Sequence, residues 1–594
     1  MENEYVLKGG EFLIKEFEAK DIFIPEEFDE EQKMIAQTCQ DFLDTEILPN
    51  LDRIDDKEEG LMQSVLTKAG ELGLLGISIP EELEGFGQSF VTSMLAGEVL
   101  GAGYSFAVAY SCHTGIGTLP ILYYGNEEQK KKYIPKLATG EWAGSYCLTE
   151  PGAGSDANSG TTKATLSEDG KFYILNGTKM WITNGGFADV QTVFAKIDND
   201  RVLSAFIVER NFPGITINPE EKKMGIKGSS TVQIFYNDCK VPVENLLGKR
   251  GEGFRIALYI LHMGRIKLGG SVLGAAKITI NQSVNYANER KQFGSLISNF
   301  GSIKHKLAQQ VINTFVTESA VYRSSKDVDN EIERNIANGL DKGSASLEAF
   351  NQFAIEAAVL KVFASEALDY IVDEAVQIYG GMGFSSEMPV DRAYRDSRIN
   401  RIFEGTNEIN KILAVDTTIK RGAKKQIDLF GKAELATQEL DNLKDEHVEN
   451  LGYFEEKRKY IQNFKKIALI LIKAASDKFQ RKFLFEQEIL NNISDIIMQV
   501  YISESTMLRV EKIETINGEK NINIYKDILD VFVYDAAEIV NKLGMDAVNS
   551  FAEGEQYEKI MKGIKILTKV KGINIKDARR RIADKLIDDN KYNF

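Results

Sequence analysis

Ten prolines punctuate this 594-residue chain, and all lie at or before Pro389. None falls between Val243 and Met388, and none follows Pro389. Proline lacks a backbone donor and clashes with the preceding helical turn. Long proline-free runs with apolar residues at a 3.6 period therefore predict helices. Helical patterning of this kind runs from about residue 253 to 421, interrupted by Pro389, and again on to Phe594. The second run is Lys/Glu/Ile-rich, with patterns such as "ALILIKAASDKF" and "AAEIVNKLGMDAV". The part before residue 140 is also mostly helical. In "EQKMIAQTCQDFLDTEIL", Met34, Ile35, Thr38, Phe42 and Leu43 share one face. "GLLGISIPEELEGFG" then breaks the pattern, as a loop does.

Between about residues 141 and 242 the texture changes to short β-rich runs: "SYCLT", "KFYILNGTKMWIT", "VQTVFAKI", "VLSAFIVE", "GITIN" and "TVQIFYN". Turn signals accompany them, including Asn176-Gly177 within a hairpin-like run and Asp198-Asn199-Asp200. This predicts an antiparallel β domain between helical ones. The resulting map is residues 25–140 helical, 141–242 β, 243–421 helical and 422–594 helical.

The formal net charge of −16 excludes a non-specific nucleic-acid binder, which needs a basic field along phosphates. The cysteines Cys39, Cys112, Cys147 and Cys239 are widely spaced and form no CxxC pair, so neither a disulfide framework nor a zinc site is expected. The N-terminus has no continuous apolar core or Arg-rich, acid-poor leader, and the apolar run 467–472 is too short to span a bilayer. A soluble cytoplasmic protein is the expectation, with at most peripheral membrane contact.

Several motifs bear on chemistry. In "TEPGAGSDA", Gly152-x-Gly154-x-x-Ala157 formally matches a dinucleotide fingerprint. That fingerprint works only if a helix follows to place its amides on a pyrophosphate. Here "NSGTTKATLSEDG" follows, without a helical stripe, and the Rossmann reading fails. What remains is a glycine-rich turn, or a loop that presses backbone amides and Ser155 against a flat anionic cofactor. In "KMWITNGG", Trp181 and Thr183 share one strand face and Ile182 the other. That is either a core tryptophan or an aromatic wall against a ring system with a hydroxyl beside it. "QIYGGMGF" ends a helical run, with glycines for left-handed geometry or close approach.

His113, His262, His305 and His447 show no metal-ligand spacing, and no nucleophile elbow accompanies them. A buried carboxylate is thus the best candidate base. "RIFEGTNEI" places Glu404 after two apolar residues and before Gly405. Taken alone it is a solvated helix-terminal acid.

Together, "YCLTEPGAGSD", "MWITNGG", "ERKQFG", "QIYGGMGF" and "RIFEGTNEI" occur in the order and spacing of the acyl-CoA dehydrogenase family, which the chain resembles over about residues 25–420. "EKKMGIKGSSTVQIFYNDCKVPVENLLG" and "GEGFRIALYILHMGR" fit as well, and the extra helical domain resembles the very-long-chain subgroup. The resemblance implies a mostly α, α+β fold: an N-terminal helical domain, a middle antiparallel β-barrel, a C-terminal four-helix bundle and an additional all-α domain. FAD would sit between barrel and bundle.

By the same resemblance, Tyr146, Cys147, Leu148, Thr149, Gly154 and Ser155 would contact the flavin and its phosphates, and Trp181, Ile182 and Thr183 would back the ring. Arg290, Gln292, Phe293, Gln377, Gly380 and Gly381 would reach the adenine-diphosphate half of a neighbouring subunit's FAD, implying a homodimer or tetramer. Thr406, Asn407 and Glu408 would complete the site. Ser155, Arg265, Phe403 and Gly405 would line the acyl-CoA. Glu404 would be the base that removes the α-proton while the β-hydride leaves to the flavin, giving a trans-2-enoyl thioester. The position that carries the base on another helix in some members is Gly264 here, and His262 stands where medium-chain members have an acid. An electron-transfer flavoprotein would take the electrons. An oxidase-like enzyme using oxygen and a non-catalytic assembly factor are the alternatives within this architecture.

Overall fold

The computed structural model describes residues 7–443, 451–518 and 522–594. His447 lies outside them.

Helices of the N-terminal part begin where side chains satisfy the free amides of the first turn. Asp29 accepts from Gln32 N at 2.8 Å to start helix Glu30–Phe42, and Asn126 does the same from Gln129 N for Glu127–Ala138. The inward face of Glu30–Phe42 differs from the expected one. Met34 is 64% exposed, whereas Cys39, Phe42 and Leu43 are buried against Phe106 and Ala96. Helix Phe90–Leu100 starts at Ser89 and packs along the bundle.

The middle domain is built from strands β1 (Gly144–Cys147), β2 (Lys163–Leu166), β3 (Phe172–Thr183), β4 (Val190–Ile197), β5 (Ser204–Glu209), β6 (Ile215–Ile217), β7 (Thr231–Pro242) and β8 (Leu246–Leu247). The path β6-β7-β3-β2-β4-β5-β8 is open rather than closed, and β1 and β2 each run parallel to β4. The expected antiparallel barrel is thus a mixed, unclosed sheet. It packs around Leu175, Val193, Phe206, Val232 and Ile234. Asn176-Gly177 does not turn the chain: β3 passes straight through, with a bulge opposite β7. A side chain on Gly177 would lie 2.7 Å from Thr162 Cα, so the glycine serves close approach of the chain entering β2. Strand β2, lying in the Thr/Ser/Gly-rich stretch, is only four residues long and buries just Ala164, too short an alternation to mark a strand.

Helices Gly253–Glu289, Gly301–Ala337, Ala354–Tyr379 and Asn407–Ala423 form the bundle. The first is long and apolar enough to cross a bilayer by composition, yet 72% of its most apolar window is buried inside the protein. Among the described residues six further helices, Leu429–Glu439, Tyr453–Phe479, Gln487–Asn517, Ile522–Phe551, Gly554–Leu567 and Ile575–Asp589, make the last domain. Helix Gln487–Asn517 lies along Gly301–Ala337 and is joined to it by buried ion pairs, Arg323–Glu504 at 2.9 Å and Arg509–Glu318 at 2.7 Å.

Residues 7–28, to which the sequence lent no role, form a strap in this seam. Phe12 packs on Tyr501 with ring centroids 4.8 Å apart, Arg458 donates to the Phe17 carbonyl at 2.7 Å, and Glu26 pairs with Arg509 at 2.8 Å.

Candidate active site

Thr406 caps helix Asn407–Ala423 by accepting from Ile409 N at 3.3 Å. Just before it, Glu404 and Gly405 adopt φ of +58° and +83°. A left-handed glutamate costs about 1 kcal/mol, and such strain persists only where the surroundings enforce it. They do so here. Arg265 Nε donates to the Glu404 carbonyl at 3.1 Å, and Asn410 Nδ2 donates to the Gly405 and Thr406 carbonyls at 2.8 and 3.0 Å.

The turn carries the Glu404 carboxylate against helix Gly253–Glu289 at Gly264. A Cβ on Gly264 would stand 3.0 Å from Glu404 Oε2, so the missing side chain makes the room. Oε2 is sealed from solvent and has no hydrogen-bond partner among the described residues. Burial pushes the Glu404 carboxyl up to about 7, although the cations Arg265 and Lys361 pull it down. Among the described residues the Glu404 amide donates to no backbone acceptor.

Other parts of the chain meet this carboxylate. Its charge is felt by Cys112 of the N-terminal part and Tyr146 of β1. Cys112 Sγ lies 3.8 Å from the Thr183 carbonyl at the end of β3, which sets that strand end opposite Glu404. Preceding it, Trp181 has φ +60° and is 51% exposed, whereas Ile182 points into the sheet core. A tryptophan that merely filled the core would not present half its surface. Tyr146 Oη is buried without a hydrogen-bond partner among the described residues, and Gly154 and Ser155 are exposed in the following loop. Cys147 and Leu148 are buried and Thr149 is half-buried, with the Cys147 thiol inside the sheet beside Ser145. Only the Cys147 backbone therefore remains for contacts at the site.

The "TEPGAGSD" loop and β3 are tied together by residues the sequence did not single out. Lys179 Nζ bonds Glu150 Oε1 at 2.7 Å and the Leu148 carbonyl at 3.1 Å, and Met180 N donates to the Thr149 carbonyl at 2.9 Å. Glu150 also accepts from Thr161 N and Thr162 N, and with Lys179 these hold its carboxyl down at about 2. Two charges inside apolar β-rich motifs were the available signal, since such groups are buried only when paired.

Some expected contacts have other partners. The Asn407 side chain bonds Lys361 Nζ at 2.7 Å, Ser365 Oγ at 3.1 Å and Glu366 at 3.0 Å, so it ties the loop to helix Ala354–Tyr379. Arg265 is 3% exposed and braces the Glu404 carbonyl beside the base. Phe403 packs on the bundle core, Glu408 is exposed, and Gly405 lies close to Asn410 and Arg265.

Arg290, Gln292, Phe293, Gln377, Gly380 and Gly381 gather elsewhere, exposed at the joined ends of helices Gly253–Glu289 and Ala354–Tyr379. Tyr286 and Tyr379 stack at 4.0 Å to hold those ends together, and Phe293 is 97% exposed. At 1.5 Å per residue this cluster is roughly 37 Å along the helix from Gly264.

Residues 29–141 match the acyl-CoA dehydrogenase N-terminal domain, 145–239 its middle domain, and 251–417 and 463–566 two C-terminal domains of the same name. A probable acyl-CoA dehydrogenase of Bacillus subtilis is 42% identical over 99% of this chain and 98% of its own length. The human mitochondrial very long-chain specific acyl-CoA dehydrogenase is 42% identical over 61% of this chain and 54% of its own length, so this match spans about half of that relative. A crystal structure of an acyl-CoA dehydrogenase complexed with FAD from Bacillus anthracis superposes with a TM-score of 0.97 at 41% identity, covering 99% of this chain and 100% of that one. Sequence, domain order and fold agree: the chain belongs to the acyl-CoA dehydrogenase family.

Proposed function

We propose that the protein oxidises long-chain acyl-CoA thioesters to trans-2-enoyl-CoA in fatty-acid β-oxidation, with Glu404 as the base and an electron-transfer flavoprotein as electron acceptor. The observation that carries the reading is the half-buried Glu404 carboxylate, with Oε2 shut off from solvent, poised near neutrality and given its space by Gly264. A base with its pKa near working pH is what abstraction of a weakly acidic α-proton requires. The unengaged Glu404 amide adds a donor where negative charge develops on the thioester oxygen.

The site suits a flat, anionic flavin. Trp181 offers half its indole, Tyr146 Oη is an orphaned polar atom, and a side chain on Gly152 or Gly154 would meet nothing within 4 Å. FAD, when bound, supplies the acceptor for the β-hydride. Glu404 takes the α-proton on its carboxylate, Arg265 and Asn410 keep that carboxylate aimed, and the buried surroundings exclude water.

Two further features support finer points. A cavity of about 60 Å³ is lined by Ala102, Ala107, Val108, Ser271, Ala275 and Leu368, further along helix Gly253–Glu289 than Gly264. Its lining on that helix, Ser271 to Thr279, stands seven to fifteen residues from Gly264, or about 10–22 Å, where the far end of a long acyl chain would reach. The Arg290/Gly380 cluster is too distant to touch a cofactor at this chain's own Trp181, which supports a homodimer in which it serves the partner's site.

The test is anaerobic addition of palmitoyl-CoA to the holoenzyme. Flavin bleaching is expected in the wild type and its loss by a factor of at least about 10² in Glu404→Gln. Full bleaching in that variant overturns the assignment of the base, and absence of bound flavin overturns the enzymatic reading.

A further inference from the structure

Arg265 is a buried cation held only by uncharged atoms. Among the described residues it forms no ion pair; its bonds run from Nε to the Glu404 carbonyl at 3.1 Å and from Nη1 to His262 Nδ1 at 3.0 Å. A guanidinium only donates, so His262 Nδ1 is the acceptor and the ring proton resides on Nε2. His262 is itself buried, and burial together with Arg265 and Arg421 pushes it down to about 3, which keeps the ring neutral at any working pH. The other ring near it, Tyr259, stands 6.4 Å away between centroids. Arg421 is spent on the Gly9 and Asn351 carbonyls.

The charge of Arg265 is therefore not cancelled locally, and the carboxylate that feels it is that of Glu404. Among the described residues Glu404 is reached by only one other cation, Lys361, while Cys112 and Tyr146 face it as neutral groups. An acid at position 262 would pair with Arg265 inside the protein and remove one of the two cations acting on the base.

We propose that His262 is a positioning residue that accepts from Arg265 without neutralising it, so that the guanidinium stays fixed under the Glu404 carbonyl and its positive field falls on the base carboxylate. This rests on Glu404 being the base. The arrangement opposes the burial of Glu404: desolvation raises its affinity for a proton, and the uncancelled guanidinium limits the rise. A fully neutralised Arg265 would leave Glu404 protonated, and idle, through the neutral range.

The test compares holoenzymes of wild type, His262→Asp and His262→Asn. Glu404 is titrated directly by its protonated-carboxyl band in infrared difference spectra, assigned by loss of the band in Glu404→Gln, alongside the pH profile of anaerobic flavin reduction. In His262→Asp the midpoint is expected to rise by about one pH unit. Reduction at pH 7 then falls about fivefold and recovers at higher pH. His262→Asn, which keeps an uncharged acceptor, is expected to hold the midpoint within about 0.3 unit. A purely structural role would lower the melting temperature of both variants and move neither midpoint. An unmoved midpoint in His262→Asp, or an equal movement in His262→Asn, overturns the proposal. If His262→Asp does not fold, Arg265→Gln removes the cation outright and must raise the midpoint at least as far. Failure of the base reading looks different, since Glu404→Gln would then lose the band yet keep full bleaching.

Discussion

Lys179 and Glu150 meet at 2.7 Å with side chains 0% and 3% exposed, and through this pair the glycine-rich loop is fastened to the strand that presents Trp181. An ion pair without water is worth little net, but breaking it strands a charge. Here it is supplemented by the Leu148 carbonyl and the Thr161 and Thr162 amides, so nearly every polar valence is used. It positions backbone and does no chemistry itself.

Lys179→Met should therefore destabilise the protein by about 3–5 kcal/mol in urea unfolding, while the double variant with Glu150→Gln recovers much of that loss. The pH sign follows from Glu150, whose folded pKa of about 2 lies below its unfolded value. The pair's contribution is present above the unfolded pKa, near 4.3, and is lost as pH falls toward 2. Acid unfolding of Lys179→Met should show a smaller slope across that window.

Gly264→Ala puts a methyl group 3.0 Å from Glu404 Oε2 and 3.2 Å from its Cδ. The carboxylate must move, and a displacement of about 1 Å at a reacting group costs roughly 10²-fold in rate. Stopped-flow flavin reduction should fall by about that factor, with little change in acyl-CoA affinity. A rate within twofold of wild type would mean that the carboxylate does not work from this position.

Glu404 binds its proton more tightly folded than unfolded, since burial raises its pKa to about 7. The folded state then takes up a proton between about pH 4.3 and 7, and stability falls as pH rises through that interval. Glu404→Gln should accordingly be more stable than wild type at pH 8, by about 3–4 kcal/mol, and nearly equal at pH 4.5. Melting curves at the two pH values check this independently of turnover.

Removing residues 1–28 deletes Glu26, the partner of Arg509, and Phe12, which covers Tyr501. Arg509, 1% exposed, would keep only Glu318 as a charged partner. The truncated chain should show a separate, earlier calorimetric transition for the last domain and rapid tryptic cleavage within residues 451–518. A single unchanged transition would show that the strap does not hold the seam.

Much of the architecture was legible because it rests on local pattern. Proline absence and 3.6 periodicity mark helices, and β-rich runs mark strands, since both reflect which side of a short element is wet. Where pattern and context diverge the reading slipped. Met34 fits the helical stripe but lies beyond the edge of the packed face, and Asn176-Gly177 has turn chemistry but is used as a bulge. The open sheet was not readable either, because closure depends on which edge strands meet in space.

The site divides the same way. By itself the sequence determined that a glutamate stands beside a glycine before a helix start, that a tryptophan and a threonine share a strand face, and that Gly264 offers no acid. These are properties of neighbouring residues. Only the tertiary structure decided that Gly264 is the space the Glu404 carboxylate fills, that Arg265 reaches across 139 residues to hold the Glu404 carbonyl, and that Asn407 is committed to Lys361. Burial, and with it the lift of Glu404 toward neutrality, is a sum over groups distant in the chain, and no local pattern of residues encodes it.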